Sequence, residues 1–211
     1  MIFLGIILSA ACAYLIGSLN FAIIISKMVS GRDIREYGSK NAGATNVLRI
    51  LGKRAAIIAA AGDFVKGILS ILLGRLLFLW LIGGFSPYLD YAAAIGALLG
   101  HLFPLYHGFK GGKGVLVSAG SLLMIDYRLF LGMLAVWVTV VMISKIVSVS
   151  SISAAVSLPV FVIIFCVADK SAWIAPFFLN LLMALVVVYM HRENIGRLIK
   201  GKEKKLFTKK K

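Results

Sequence analysis

Two glycine-rich, lysine-bearing segments carry the residue types of a phosphate cradle: Gly38-Ser39-Lys40-Asn41-Ala42-Gly43-Ala44-Thr45-Asn46 and Phe109-Lys110-Gly111-Gly112-Lys113-Gly114. Glycines let consecutive backbone N–H groups face an anion, lysines add countercharge, and Ser, Thr and Asn add donors at short range. Neither segment is the soluble nucleotide loop GxxxxGK[ST], because Ala44 follows Gly43. One such segment alone is equally well explained by turns and tight packing. Two of them, each with cations, favour a bound anion. Arg49 lies three residues past Asn46, so on a helix the two share a face and can grip one phosphate. The alternative for Arg49, as for Lys53 and Arg54, is topology charge.

Other reactive constellations are sparse. A hydrolase triad needs a nucleophile held by a histidine that an acid orients, and no GxSxG elbow occurs. His101, His107 and His191 form no metal-binding spacing with cysteines or carboxylates, so no metal is expected. His191 and Asn194 stand at i and i+3, able to face one cavity or to act as a plain polar cap. Asp63 and Lys66, also at i and i+3, fall inside an apolar run and read either as support for the site or as an ion pair neutralising itself in lipid. Arg75 is expected to snorkel to the outer interface. An enzyme built from such parts must position charged substrates and stabilise their oxyanions, since it has few reactive groups of its own.

The elements that hold these residues are membrane helices. Apolar residues make up 61% of the 211, with mean hydropathy +0.98, so lipid is the main solvent. Apolar runs at 3–26, 55–74, 91–107, 114–125, 129–147, 152–168 and 173–190 predict an all-α integral membrane protein of seven transmembrane helices. The third and fourth runs contain Gly96, Gly100, Pro104 and the Gly111 to Gly114 cluster, so one or more spans are expected to be broken or short. Lysines and arginines crowd the first, third and fifth connections and the C-terminal end. That places the N-terminus outside, the C-terminus in the cytoplasm and both glycine segments on the cytoplasmic face. Residues 1–200 read as a single seven-span domain and 201–211 as a solvated basic tail touching acidic lipid. The net charge of +15 is spread between apolar runs rather than along one soluble face, which argues against nucleic acid. Cys12 and Cys166, lying far apart in apolar runs, read as small hydrophobes.

Taken in order, Gly17-Ser18 with Lys27, the segment 38–49, Gly100-His101-Leu102-Phe103-Pro104 running to Gly114, and His191-Arg192-Glu193-Asn194-Ile195 resemble the bacterial membrane glycerol-3-phosphate acyltransferases that use acyl phosphate as donor. The resemblance covers nearly the whole chain. It implies a seven-span enzyme of the bacterial cytoplasmic (inner) membrane. Such an enzyme transfers a fatty acyl group from acyl phosphate to the sn-1 hydroxyl of glycerol 3-phosphate, giving lysophosphatidate and phosphate, the first acylation of phospholipid synthesis. It implies no cofactor, and no obligate protein partner is inferred. Residue by residue, it implies that Ser39, Arg49, Lys113, His191 and Asn194 hold glycerol 3-phosphate or organise the site. Asn41, Gly43, Thr45, Asn46, Gly112 and Ser151 would surround the acyl-phosphate group. The chain departs from the family pattern at Lys40, where Gly is usual, at Ala42, where Pro is frequent, and at Lys145-Ile146, where Arg-Tyr is frequent.

Acyl phosphate is an activated mixed anhydride, so direct attack by a positioned hydroxyl suffices, and either a donor phosphate oxygen or His191 can take the proton. Two rival readings use the same features: a transporter of phosphorylated metabolites and a non-catalytic scaffold for anionic lipid. The almost wholly apolar outer halves of most spans favour a one-sided site over a transport route.

Overall fold

The structure is a computed structural model that describes residues 2–84 and 86–206. The described residues are helical with no strand, and they form two compact units, residues 2–125 and 126–206.

The first unit contains α1 (Ile2–Gly17), α2 (Phe21–Ser30), α3 (Ala44–Leu51), α4 (Lys53–Ile82), α5 (Pro87–Leu102) and α6 (Val115–Ile125). α1 packs along α4 and α5, and α6 packs on α4 and α5. Small residues make these approaches possible. The α5 pair Gly96 and Gly100 sits directly against the backbone carbonyls of Ala10 and Tyr14, and Gly120 of α6 against that of Phe64, leaving no room for a Cβ. In lipid, where apolar side chains gain nothing by meeting each other, such close backbone packing is a main source of association.

The first apolar run, read as continuous, is broken. α1 ends at Gly17, Asn20 caps α2 by accepting from the Ile23 amide at 3.1 Å, and the two helices together make a 29-residue span, Ile2–Ser30. Asn and Ser disrupt a helix by offering the backbone alternative partners. Gly31, with φ +67°, ends α2 in the left-handed conformation that costs glycine little. Beyond it, Ile23, Ile34, Ala42, Val47, Ala56 and Ala59 close a small apolar core, which seats the amphipathic α3 beside α2 and α4.

Arg75 does not snorkel. Its guanidinium makes a two-pronged pair with Asp90 (Nε–Oδ1 3.0 Å, Nη2–Oδ2 2.6 Å) and donates to the Met124 carbonyl at 2.7 Å. With the charge neutralised inside the bundle, α4 continues through Arg75 to 30 residues, about 45 Å at 1.5 Å per residue.

The second unit contains α7 (Tyr127–Ser144), α8 (Val147–Ala168), α9 (Ile174–Met190) and α10 (Arg192–Ile199). α7, α8 and α9 pack in sequence, and α10 leaves α9 at a 57° bend. At the end where α7 begins and α8 ends, Arg128 binds Asp126 (2.8 Å) and Asp169 (2.7 Å).

By length and composition, five helices among the described residues can cross a membrane: Ile2–Ser30, Lys53–Ile82, Tyr88–His107, Tyr127–Ser144 and Val147–Ala168. The bent pair Ile174–Met190 with Arg192–Ile199 makes six. α6, at 11 residues, is about 16 Å long, roughly half the hydrocarbon thickness, as the shortness of its apolar run foretells.

The start of the tail is anchored at two points, while Lys202, Lys204 and Lys205 are exposed. The Leu206 amide donates to the Lys145 carbonyl at 2.7 Å, and the Glu203 side chain is only 5% exposed. Residues 207–211 of the predicted basic tail lie outside the described residues.

Candidate functional site

In the first unit the two glycine segments meet. Asn46 builds the first of them. Its buried carboxamide accepts from the Ser39 amide (2.9 Å), and its two N–H protons are shared among the carbonyls of Ile34 (3.1 Å), Tyr37 (2.9 Å) and Asn41 (3.2 Å), so the loop is tied to one side chain at several points. Asn46 is therefore a loop organiser. Arg49, one turn on along the same helix, is exposed where Asn46 is buried. Gly38 (φ +62°) and Lys40 (φ +58°) both take left-handed backbone. At Lys40 a glycine would adopt that conformation without the Cβ clash, which gives a physical reason for the residue usual in the resembling family.

The second segment folds back on the end of α5. The Gly111 amide donates to the Leu102 carbonyl (3.0 Å) and the Gly112 amide to the His101 carbonyl (3.1 Å). A Cβ on Gly112 would strike both the His101 ring at Nε2 and the Ala42 carbonyl, so Gly112 is the point where the two segments touch. The Ala42 carbonyl also receives the Asn20 side chain at 3.4 Å.

Arg35 staples the same two connections together. Besides binding Asp33 with two prongs (Nε–Oδ1 3.0 Å, Nη2–Oδ2 2.7 Å), it donates through Nη1 to the carbonyls of His107 (2.6 Å) and Lys110 (2.9 Å). The hydrogen bond from Arg35 is the largest influence holding the Asp33 carboxyl below its usual range. Because that folded value is depressed, the pair's contribution is complete above the ordinary carboxylate pKa and disappears as pH falls through the lower, folded value. Arg35→Ala is expected to cost about 1.5–3 kcal/mol, the range for hydrogen bonds to a charged group. Thermal unfolding in detergent at neutral pH reads this difference, which should shrink in acid.

The resulting surface suits an anion. α3 begins just after its N-cap Gly43 with no side-chain cap on its first amides, and α6 begins immediately after Gly114. Helix N-termini expose N–H groups and the positive end of the dipole. Ser39, Asn41, Gly43, Thr45 and Lys113 are partly exposed around the contact, and Gly112 is buried in it.

In the second unit, His191 and Asn194 flank the bend between α9 and α10, and both are buried. The Nδ1 of His191 lies 2.8 Å from the Val187 carbonyl. A carbonyl only accepts, so Nδ1 carries the proton and a neutral His191 presents its lone pair at Nε2. Ser151, also buried, accepts from the Trp137 indole at 3.2 Å and keeps its own proton to donate.

Asn194 donates to Glu203 Oε1 at 2.6 Å, as does Ser148 at 2.9 Å, while Arg197 binds Oε2 at 2.6 Å. Burial would raise the Glu203 pKa, but these three donors lower it overall. Sequence reasoning missed Glu203 and Arg35. The one signal available for Glu203 was its position as the sole acid in the basic stretch 200–211.

Comparison with known proteins follows this geometry. The model of the glycerol-3-phosphate acyltransferase family matches residues 7–201. The glycerol-3-phosphate acyltransferase of Neisseria meningitidis is 40% identical over 201 residues, covering 95% of this chain and 97% of that protein. That of Thioalkalivibrio sulfidiphilus is 41% identical over 197 residues, covering 93% and 92%. The crystal structure of PlsY (YgiH), an integral membrane glycerol 3-phosphate acyltransferase in its glycerol 3-phosphate form, superposes with a TM-score of 0.82 at 33% identity, covering 96% of both chains. The same enzyme has also been solved in a lysophosphatidic acid form, similar to this chain with a TM-score of 0.77. A family match over nearly the whole length, on an all-helical membrane scaffold whose glycine segments converge, makes this chain a member of the glycerol-3-phosphate acyltransferase family.

Proposed function

We propose that this protein transfers a fatty acyl group from acyl phosphate to the sn-1 hydroxyl of glycerol 3-phosphate, forming lysophosphatidate and phosphate, the first acylation of phospholipid synthesis. The observation that carries the reading is the contact of the two glycine segments at Ala42 and Gly112, beside the uncapped start of α3. A site of cations and backbone donors fits a reaction whose donor is already activated.

In this reading the acceptor oxygen attacks the acyl carbonyl, the bond between that carbonyl and the phosphate oxygen breaks, and the electron pair leaves on phosphate. The proton passes to a donor phosphate oxygen or to Nε2 of His191, whose tautomer supports the second route. Ser39, Arg49 and Lys113 serve glycerol 3-phosphate, and the family resemblance assigns His191 and Asn194 to it as well. Asn41, Gly43, Thr45, Gly112 and Ser151 serve the acyl phosphate, with Asn46 acting through the shape of its loop. No cofactor is required. Residues 1–200 act as one domain with residues 201–211 as a basic tail, a division supported by a family match that spans 7–201. The proposed setting is the bacterial inner membrane, crossed seven times, with the N-terminus outside and the site open to the cytoplasm.

Purified protein in detergent, given acyl phosphate and glycerol 3-phosphate, should form lysophosphatidate, whereas acyl-CoA should not replace the donor. Failure of the purified wild type to turn over would return the reading to a transporter or lipid scaffold. Lys113→Ala and Arg49→Ala should each lower kcat/KM for glycerol 3-phosphate by about 1.5–3 kcal/mol, the range for a lost charge-assisted contact. Unchanged kinetics in a folded variant would remove that residue from the site.

A further inference from the structure

One buried cluster of titratable groups lies beside the glycine contact and takes no part in the reaction as described. Asp63, Lys66 and His101 are 1%, 1% and 4% exposed. Lys66 Nζ reaches three acceptors: Asp63 Oδ1 at 2.8 Å, the Leu19 carbonyl at 2.7 Å and His101 Nδ1 at 2.8 Å. An ammonium has three protons and no lone pair, so all three are used and Nδ1 must accept. Asp63 Oδ1 is 3.5 Å from the same Nδ1, too long to compete as the ring's partner. The ring is therefore neutral with its proton on Nε2. That nitrogen is the ring atom nearest the Gly112 Cβ position, so it lies against the turn where the two segments touch.

We propose that His101 is a further substrate-binding residue, whose Nε2–H donates to a phosphoryl oxygen held over Gly112, with Lys66 and Asp63 as positioning residues that lock the donor tautomer. The placement has a physical advantage. A neutral ring brings a donor to an anion without adding a second buried charge, and the ion pair behind it fixes its orientation before the ligand arrives. The inference rests on the acyltransferase reading for the identity of the anion, which comes from either the acyl phosphate or glycerol 3-phosphate.

Two substitutions separate the two ring nitrogens. His101→Asn keeps an acceptor near Nδ1 for Lys66 and removes the Nε2 donor, whereas His101→Gln reaches the Nε2 position with an amide N–H. Binding of a non-hydrolysable acyl phosphonate and of glycerol 3-phosphate is measured separately by titration calorimetry on the detergent-solubilised, monodisperse proteins. His101→Asn should weaken one of the two ligands by about tenfold or more, as expected for a lost hydrogen bond to a charged partner, and that ligand names the source of the phosphoryl group. His101→Gln should restore most of the affinity. Wild-type affinity for both ligands in His101→Asn overturns the proposal, and if wild-type turnover of acyl phosphate persists, it leaves the acyltransferase reading intact. Should neither variant fold, nitrogen-15 shifts of His101 in the wild type decide. Protonated Nε2 and lone-pair Nδ1 are expected, and the reverse tautomer overturns the proposal.

Discussion

Lys66→Met should leave little folded protein. Removing the ammonium strands the Asp63 carboxylate, 1% exposed, without its counterion, and it also strips the donor from the Leu19 carbonyl and His101 Nδ1. Breaking a buried pair from one side costs about 3–5 kcal/mol, comparable with the whole stability of many domains. Replacing both partners, Asp63→Leu with Lys66→Met, removes the stranded charge and should restore much of that loss, because a buried pair contributes little beyond its own desolvation cost. Monodispersity and thermal unfolding in detergent read both. A single variant as stable as the wild type would mean that water reaches Asp63 and that the cluster is not the closed unit described above.

Gly112→Ala should sharply damage activity. The added methyl meets His101 Nε2 on one side and the Ala42 carbonyl on the other, and the Gly112 amide is tied to the His101 carbonyl at 3.1 Å, so the turn must move as a whole. Overpacking of this kind costs about 1–3 kcal/mol of stability. The same displacement at a reacting centre, of order 1 Å, can cost about a hundredfold in rate. Gly196→Ala is the matched control. It lies in α10 with no heavy atom within 4 Å of its Cβ position, so it should preserve turnover and gain up to about 1 kcal/mol of helix propensity. Equal activity of the two variants would show that the Ala42–Gly112 contact does not shape the site.

Local sequence patterns carried the helices and the loops, and long-range partners were hidden from it. The Asp63–Lys66 pair forms as its spacing predicts, because residues three apart on a helix are neighbours wherever the helix goes. The meeting of the two glycine segments followed from counting connections, since alternate ones emerge at the same end, and the reach of Arg35 to His107 and Lys110 bears it out. No spacing rule could connect Lys66 to His101, which stand 35 residues apart, or Arg75 to Asp90 across two helices. A membrane arginine read alone looks like an interfacial anchor until its acid is found. Asn46 has partners that sequence could not show. Its type suits a phosphate ligand, but its burial and four hydrogen bonds devote it to the loop. The break at Asn20 was legible in principle, since Ser18 and Asn20 are cap formers, but the apolar residues on both sides masked it.

The account stands on both glycine segments opening to the cytoplasm as parts of one anion site. Single cysteines at Lys40 and Lys110, both exposed, in a background with Cys12 and Cys166 replaced by Ala, can be treated with a membrane-impermeant maleimide in sealed inverted vesicles and in right-side-out ones. Both positions should label in inverted vesicles and neither in right-side-out ones. Labelling from opposite sides would contradict the account.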